Sequence, residues 1–574
     1  MVSDSAPTPA ARLLPMGDRA LLAEVGSLDA VLALHAALEA SRPPGVVDLV
    51  PAARTVLVRV DPRVLPLAAA RAWVDRTTAS TDAAAPAARD ADRVELDAEY
   101  AGPDLAETAT LLGLSPDALV ARHSAAEWTV AFTGFAPGFG YLVSPDWPHD
   151  VPRLASPRTR VPAGAIGLAG AFSGAYPRDT PGGWRLIGTT PALLFDPDAA
   201  SPALLAPGTR VRFRPVRAEV VAAPGSAAVP VPGPAAAPAP APPGAAGPAP
   251  TPTPALTPAP LRAAEPPPAP TPTPAPPRPS TQPAAARAVR IVEPGLLATI
   301  QDLGRAGAAA LGVAPSGALD RGALRTANRL VGNPEGAAGI EVTMGGLRAV
   351  AEHDLWFAVA GAWGPLRIDG RELDPYEAHE WPAGGELHLD WFTHGARAYL
   401  AVRGGLDGMP VLGSRASDLL AGLGSAPLRA DALVGVRDEA SVAIPAPAIS
   451  PWGAPHDDLI EVELAPGPRA AWFAPSAARD LFESVWTVSN DADRVGVRLD
   501  GPALARAREG ELPSEGMVPG ALQVPPTGRP TILLADGPVT GGYPVIAVAT
   551  DASLDAIAQA RPGTRLRFRH ARPS

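Results

Sequence analysis

The 574-residue chain has no cysteine and no lysine, so all 48 of its basic residues are arginine. Without cysteine there are no disulfides, no thiolate ligands for zinc or iron–sulfur centres and no cysteine nucleophile, a composition compatible with a reducing compartment. Without lysine there is no Walker-A lysine, no kinase strand lysine, no Schiff-base residue and no biotinyl-lysine. Long apolar runs are missing too. Stretches such as Leu355–Trp363 fall far short of the roughly 20 residues a membrane helix needs, and MVSDSAPTPAARLL has neither the basic nor the apolar region of a secretion signal. The expectation is a soluble cytoplasmic protein with no membrane partner. A net charge of −11 and a pI near 5.4 argue against nucleic acid as a partner, which would require a clustered basic face.

What the chain has in abundance is alanine, proline, glycine and arginine. Its length exceeds the roughly 250–300 residues at which one hydrophobic core stops growing, so three or four domains are expected. From about Ala222 to Ala286 the sequence is almost wholly Ala, Pro, Thr and Gly (APAPAPPGAAGPAPTPTPALTPAP), which predicts an extended, polyproline-like tether over 217–287. Such a tether between folded parts points to a gene fusion that holds two proteins at high local concentration.

Over residues 1–90 the pattern alternates. A strand at Ala20–Val25 precedes a helix opened by Ser27, with Leu28, Val31, Leu32 and His35 on one face. Strands at Val46–Val50 and Thr55–Val60, a helix near Leu67–Val74 and a strand at Arg93–Leu96 complete the β-α-β-β-α-β order of a small ferredoxin-like unit. Asp104 caps a helix that stops at Gly113, and Ser115-Pro116 opens another that ends at His123. Beyond Trp128, and again after Val289, short β-rich runs punctuated by Gly and Pro favour closed β-barrels. VPAGAIGLAG with TPGGWRLIG, starting at Val161, is echoed by VPGALQVPPTG with VTGGYPVIA, starting at Val518, which suggests the same barrel type in both halves. The expected fold is mainly β with a small α/β N-terminal domain, one barrel over 91–216 and further barrels over 288–574.

In GFAPGFGYL (Gly134–Leu142), PRTRVPAGAIGLAG (Pro157–Gly170) and YPRDTPGGWRLIGTTP (Tyr176–Pro191) the first half closely resembles the B component of 5-oxoprolinase, a family also called allophanate hydrolase subunit 1. EPGLLATIQDLGRAG (Glu293–Gly307), SGALDRGALRTANRLVGN (Ser316–Asn333), GIEVTMGG (Gly339–Gly346) and GALQVPPTGRPTILLADGPVTGGYP resemble the C component, or allophanate hydrolase subunit 2. The resemblance implies cyclophilin-like antiparallel β-barrels, one in the B part and a tandem pair in the C part, homologous to the carboxyltransferase region of urea carboxylase. It also implies ATP-dependent opening of 5-oxo-L-proline to L-glutamate, with ATP and Mg2+ bound, no biotin on this chain, and a separate A component, a lactam-utilisation protein, as partner. Two positions depart from the family pattern, Ala165 in place of Ser and Phe172 in place of Gln.

Opening an unstrained lactam with ATP needs cations on the phosphates, in-line positioning and a dry site. With no lysine, those cations are arginine forks, backbone N–H groups or magnesium on carboxylates. The candidate arginines are Arg158 and Arg160 in the first half and Arg305, Arg494 and Arg498 in the second, each equally readable as a surface ion pair. His123 is a candidate acid or base, although a helix C-terminus favours histidine through its dipole alone. Glu341 and Asp536 are candidates to hold magnesium or an amide proton, or to satisfy a buried arginine. Asp320, also readable as a helix N-cap, joins Asn328, Gln523, Tyr176 and Tyr543 as candidate substrate or nucleotide contacts. No resident metal site is assigned. Two other functions are open: biotin-dependent carboxyl transfer, whose carrier lysine this chain lacks, and regulation of a sensor histidine kinase. Dependence of ATP turnover on 5-oxoproline separates them from the first reading.

Overall fold

In a computed structural model of the chain, the described residues are 11–80, 93–217, 287–445, 453–456, 458–510 and 512–572, so the expected tether lies outside them apart from its end residues. The N-terminal domain is a four-stranded antiparallel sheet in the order Arg12–Pro15, Ala20–Glu24, Thr55–Val60, Val46–Pro51, carrying helices Leu28–Ala40 and Leu67–Ser80. Ser27 caps the first helix by accepting the Ala30 N–H at 3.2 Å. One sheet face packs Val56 and Val58 on Val31, Leu34 and Trp73 of the helices. The other packs Leu14, Leu22 and Leu57 on Met517, Val518 and Val548 near the C-terminus. Strands buried on both faces need continuous apolar runs, and ALLA and TVLV supply them.

The strand expected to complete this sheet goes elsewhere. Arg93–Ala98 pairs in parallel with Arg210–Pro215, and Arg12–Pro15 takes the vacant edge. The alternation in RVELDA explains it: Leu96 and Ala98 are buried with Trp128 and Phe213, giving one inward face suited to a barrel wall.

That barrel runs Arg93–Ala98, Arg185–Thr189, Ala165–Ala169, Phe172–Ala175, Gly140–Val143, Trp128–Thr133, Arg210–Pro215, with the first two strands joined by the Glu99–Thr189 bridge. The C-terminal barrel is closed and runs Leu459–Pro466, Val545–Ala549, Ala521–Gln523, Thr531–Leu533, Gly496–Asp500, Val485–Val488, Arg565–His570. The two have the same strand order position for position, including a parallel pairing of first and last strands. Each also has a two-stranded ribbon, Arg158–Val161 with Thr180–Gly182 and Glu515–Gly516 with Thr540–Gly541. The helix before the sixth strand of each order, Pro116–Ala125 or Pro475–Glu483, begins with proline. In each barrel a glycine follows the first strand, Gly102 or Gly467, where a Cβ would fall on the backbone of Leu186–Ile187 or Ile546–Ala547. The short sequence echo is thus the trace of a whole-barrel duplication.

Between them lies a middle domain of two sheets, Arg371–Leu373, Leu366–Ile368, Glu386–Leu389, Leu347–Ala351, Ala288–Pro294, Leu433–Gly435 and Leu297–Gln301, Gly339–Thr343, His394–Val402, Leu355–Trp363, His379–Trp381. Ile291, Leu347 and Leu387 from the first share one core with Ile300, Phe357 and Leu400 from the second. Helix Arg321–Leu330, capped by Asp320, covers the outer face of the second. The mainly β expectation holds.

Candidate functional site

The loop after strand Trp128–Thr133 approaches the C-terminal barrel so closely that a Cβ on Gly134 would collide with the Thr540 side chain. The next residue, Phe135, adopts φ +67°, a left-handed conformation costly for an aromatic side chain, and donates its N–H to Thr540 Oγ1 at 3.2 Å. On one side of this contact is an outer cleft of about 710 Å3. The first barrel lines it with Phe139, Tyr141, Phe172, Tyr176 and Trp184, and the C-terminal barrel with Arg506, Ser514 and Gly541–Tyr543. The aromatic wall is edge-packed, with Phe139 5.1 Å from Tyr176 and 5.3 Å from Trp184, ring centre to ring centre. Burial pushes the Tyr141 phenol up to about 12 and raises that of Tyr176 as well, so both remain hydrogen-bond donors at neutral pH.

Among the described residues, the cleft's charges are Asp150, Arg153 and Arg506. Arg153 is exposed and near enough to Tyr141 and Tyr176 to oppose the rise of both phenols. Arg506 donates through Nη2 to the Val524 carbonyl, while its buried Nε has no partner among the described residues.

On the other side of Phe135 is an inner chamber of about 370 Å3, sharing with the cleft Phe135 and Thr540–Tyr543. Its lining includes Arg178, Asp418, Gln523 and Asp536. Asp418 is only 2% exposed; Oδ1 accepts the Ala421 N–H at 2.8 Å, and Oδ2 is buried without a partner among the described residues. Burial, then the charge of Asp536, pushes the Asp418 carboxyl up to about 6. A carboxyl whose native value exceeds its unfolded one loses stability as pH rises between the two, here from about 4 to about 6. Asp418→Asn should therefore melt above the wild type at pH 8 and level with it near pH 4, as followed by calorimetry. A lower melting temperature at pH 8 would contradict this assignment.

Behind the chamber, the fully buried Arg494 joins the middle domain to the C-terminal barrel. Nη1 donates to Glu341 Oε1 at 2.5 Å, Nε to Asp536 Oδ2 at 3.0 Å and Nη2 to the Gly317 carbonyl at 2.7 Å. Burial works most strongly against the charge on Glu341, but Arg494, Arg397 and the Leu319 and Tyr399 hydrogen bonds together outweigh it and hold that carboxyl below its usual value. Glu341 also accepts the Tyr399 hydroxyl at 2.7 Å, and Asp536 the Ser316 hydroxyl at 2.6 Å. Of the functions open to Glu341 and Asp536, the geometry shows the pairing of a buried arginine, with Asp536 also at the chamber wall.

The other candidates scatter. Tyr176 lines the cleft, Gln523 the chamber and Tyr543 both. His123 lies in neither: it is fully buried in the first barrel, bonded through Nδ1 to the Tyr100 hydroxyl at 2.7 Å and through Nε2 to Ser173 Oγ at 2.8 Å. Burial lowers its pKa to about 3, which holds it neutral. The duplication accounts for its place. The His123 carbonyl accepts the indole N–H of Trp128 as the Leu481 carbonyl accepts that of Trp486, so the histidine occupies a core position that is leucine in the other barrel. Asp320 caps its helix through Ala323 N at 2.8 Å and accepts from Gln559 at 2.7 Å, its carboxyl pushed up to about 7 by burial. Asn328 ties Ala337 and Asn333 into a buried turn. Arg305 holds the Val411 and Ala416 carbonyls. Arg158 pairs with Asp104 at 2.6 Å, Arg160 with Asp179 at 2.6 Å, and the exposed Arg498 donates to the Asp491 carbonyl. Phe172, the departure from the family pattern, does line the cleft, whereas Ala165 is buried in its strand. The residues that sequence reasoning missed are Tyr141, Asp150, Arg153, Arg178, Asp418 and Arg506.

Residues 11–205 match the carboxyltransferase domain, subdomains C and D, and residues 311–570 match subdomains A and B. The C component of 5-oxoprolinase from Escherichia coli K12 is 36% identical over 285 residues, which cover 49% of this chain and 90% of that protein. The chain belongs to the family of 5-oxoprolinase B and C components, which are carboxyltransferase-domain proteins. Its B part, the first half, is 53% identical over 115 residues to the 5-oxoprolinase B component of Escherichia coli O157:H7, covering 52% of that protein. Both parts together match the crystal structure of TTHA0988, with a TM-score of 0.76, 34% identity, and coverage of 96% of this chain and 99% of that one. The C part is also related to urea amidolyase of Lachancea kluyveri, 33% identical over 307 residues that make up 17% of that protein. The fold is thus the carboxyltransferase cyclophilin-like one. Among the described residues no helix is long and apolar enough to cross a membrane.

Proposed function

We propose that this chain supplies the B and C components of an ATP-dependent 5-oxoprolinase, which activates 5-oxo-L-proline for ring opening to L-glutamate together with a separate A component. The observation that carries the reading is the outer cleft, whose walls come from both parts, the larger share from the B part and the rest from the C part. Fusing two proteins has a direct chemical use where the site exists only between them.

The residues present fit a magnesium nucleotide. Arg153 and the Nε of Arg506, which has no partner among the described residues, suit phosphate oxygens, and Asp150 suits a magnesium ion, which commonly takes one or two carboxylates plus phosphates. Among the described residues no group of three or more acidic or histidine side chains is placed to hold a metal alone. When bound, the nucleotide supplies the phosphoryl group that makes the amide oxygen a leaving group. The chain's own share is positioning and electrostatics: the aromatic wall excludes water, and the Tyr141 and Tyr176 phenols, held protonated by burial, donate to oxygen as charge develops.

The test is ADP release by the full chain with 5-oxoproline, with and without an A-type component. Turnover that needs both is expected. No 5-oxoproline-dependent release in any combination would overturn the reading and turn attention to carboxyl transfer, which the relationship to urea amidolyase makes the next candidate.

A further inference from the structure

Three charges line the inner chamber; Asp536 is paired with Arg494, and the other two, of opposite sign, do not bond each other. Arg178 comes from the B part and reaches the Asp418–Leu423 turn of the C part, where a Cβ on Gly422 would lie 3.7 Å from its Nη1. That Nη1 is buried and has no hydrogen-bond partner among the described residues, and neither has Asp418 Oδ2. The nearby Asp418 charge acts on Arg178 without a hydrogen bond between them. Around these groups the walls are Pro137, Pro181, Leu420, Ala421 and Gly312. A buried donor and a buried acceptor left unmade in an apolar chamber are costly unless a ligand completes both.

We propose that the inner chamber seats the lactam, with Asp418 Oδ2 accepting the ring N–H and the Arg178 guanidinium pairing with the ring's carboxylate. This rests on the 5-oxoprolinase reading and adds to it which chamber takes which substrate. The ligand class is a small cyclic amide bearing a carboxylate. A neutral amide such as urea would leave Arg178 unpaired. The chamber is about half the size of the outer cleft, 370 against 710 Å3, which suits the smaller ligand. A ring seated there meets a nucleotide in the cleft across Phe135, and the strained φ of that residue marks the partition as a place where the fold accepts a local cost.

The experiment uses the full chain with its A-type component and compares 5-oxo-L-proline with two competitive ligands: 2-pyrrolidinone, which lacks the carboxylate, and 5-oxotetrahydrofuran-2-carboxylate, in which oxygen replaces the ring N–H. A site built to bond a polar group rejects the analogue lacking it, so the wild type should prefer 5-oxoproline by at least about tenfold over each. Arg178→Met should collapse the preference over 2-pyrrolidinone and keep that over the lactone. Asp418→Asn should do the reverse, because its amide can turn an N–H toward the lactone oxygen. A change in packing alone would move both ratios together or neither. Wild-type ratios in both variants would overturn this assignment and leave the 5-oxoprolinase reading standing, whereas ATP turnover indifferent to 5-oxoproline in the wild type would overturn both.

Discussion

Arg494→Met should lower the stability of the chain by about 3–5 kcal/mol, the usual cost of breaking a buried ion pair from one side. The substitution leaves Glu341, 1% exposed, and Asp536, fully buried, as two carboxylates facing one lost cation. Methionine fills most of the volume, so the loss reports charge and not a cavity. Without the guanidinium, burial acts against the charge on Glu341, which keeps only the longer Arg397 contact at 3.9 Å, and a raised carboxyl loses stability as pH rises through its range. The melting deficit against the wild type should therefore be largest above pH 7 and shrink toward pH 4. Adding Glu341→Gln and Asp536→Asn to Arg494→Met should recover a large part of it, since a buried network made neutral as a whole is far less costly than one left half-charged. Equal melting temperatures for Arg494→Met and the wild type at pH 8 would show that the triad does not hold the middle domain to the C-terminal barrel.

The second large effect is on turnover. Gly134→Ala puts a methyl group into Thr540, the residue that accepts the Phe135 N–H. The two loops must part, and a misplacement of about 1 Å at a two-substrate site can reduce turnover on the order of 100-fold. The melting temperature should change little, because the contact lies at the rim of two intact barrels. Thr540→Ala in the same chain removes the atoms that the methyl group strikes and should restore part of the rate, although Phe135 N–H loses its acceptor. A Gly134→Ala protein as active as the wild type, or a double variant no better than the single, would place the reacting groups away from this contact.

Much of the architecture is legible in the sequence because it depends on local rules. Ser27, Ser115 and Asp320 cap their helices as their positions predict. The Val-Pro-Gly echo marks equivalent strands of two barrels. The Arg93 strand is assigned to the wrong sheet by sequence because its alternating pattern declares one buried face without saying which sheet provides it. The site is less legible. Tyr543 stands directly after paired glycines and Tyr176 six residues before another pair, and both can be found from that, whereas Asp418 sits in SRASDLL with nothing periodic or compositional to distinguish it. Its character comes from burial beside Asp536 and from Arg178, more than two hundred residues away in the chain. Glu341 and Arg494 stand out in the sequence for their chemistry and prove to serve each other. In one dimension a buried structural ion pair and a catalytic one have the same residues, and only burial, partners and an adjacent void tell them apart.

The duplicated barrels place matching ribbons on a single cavity: Gly182, Gly183 and Trp184 belong to one wall of the outer cleft, and Gly541, Gly542 and Tyr543 to the other. Such a seam is a dimer interface contained in one polypeptide. In a symmetric homodimer every substitution appears twice, and the two walls of a shared site must stay alike. Here they have parted, with Trp184 6% exposed and Tyr543 48% exposed. The cleft is thereby polarised, with a closed aromatic flank and an open hydroxyl-bearing flank, so a ligand entering it meets two unlike walls and has one direction in which to lie.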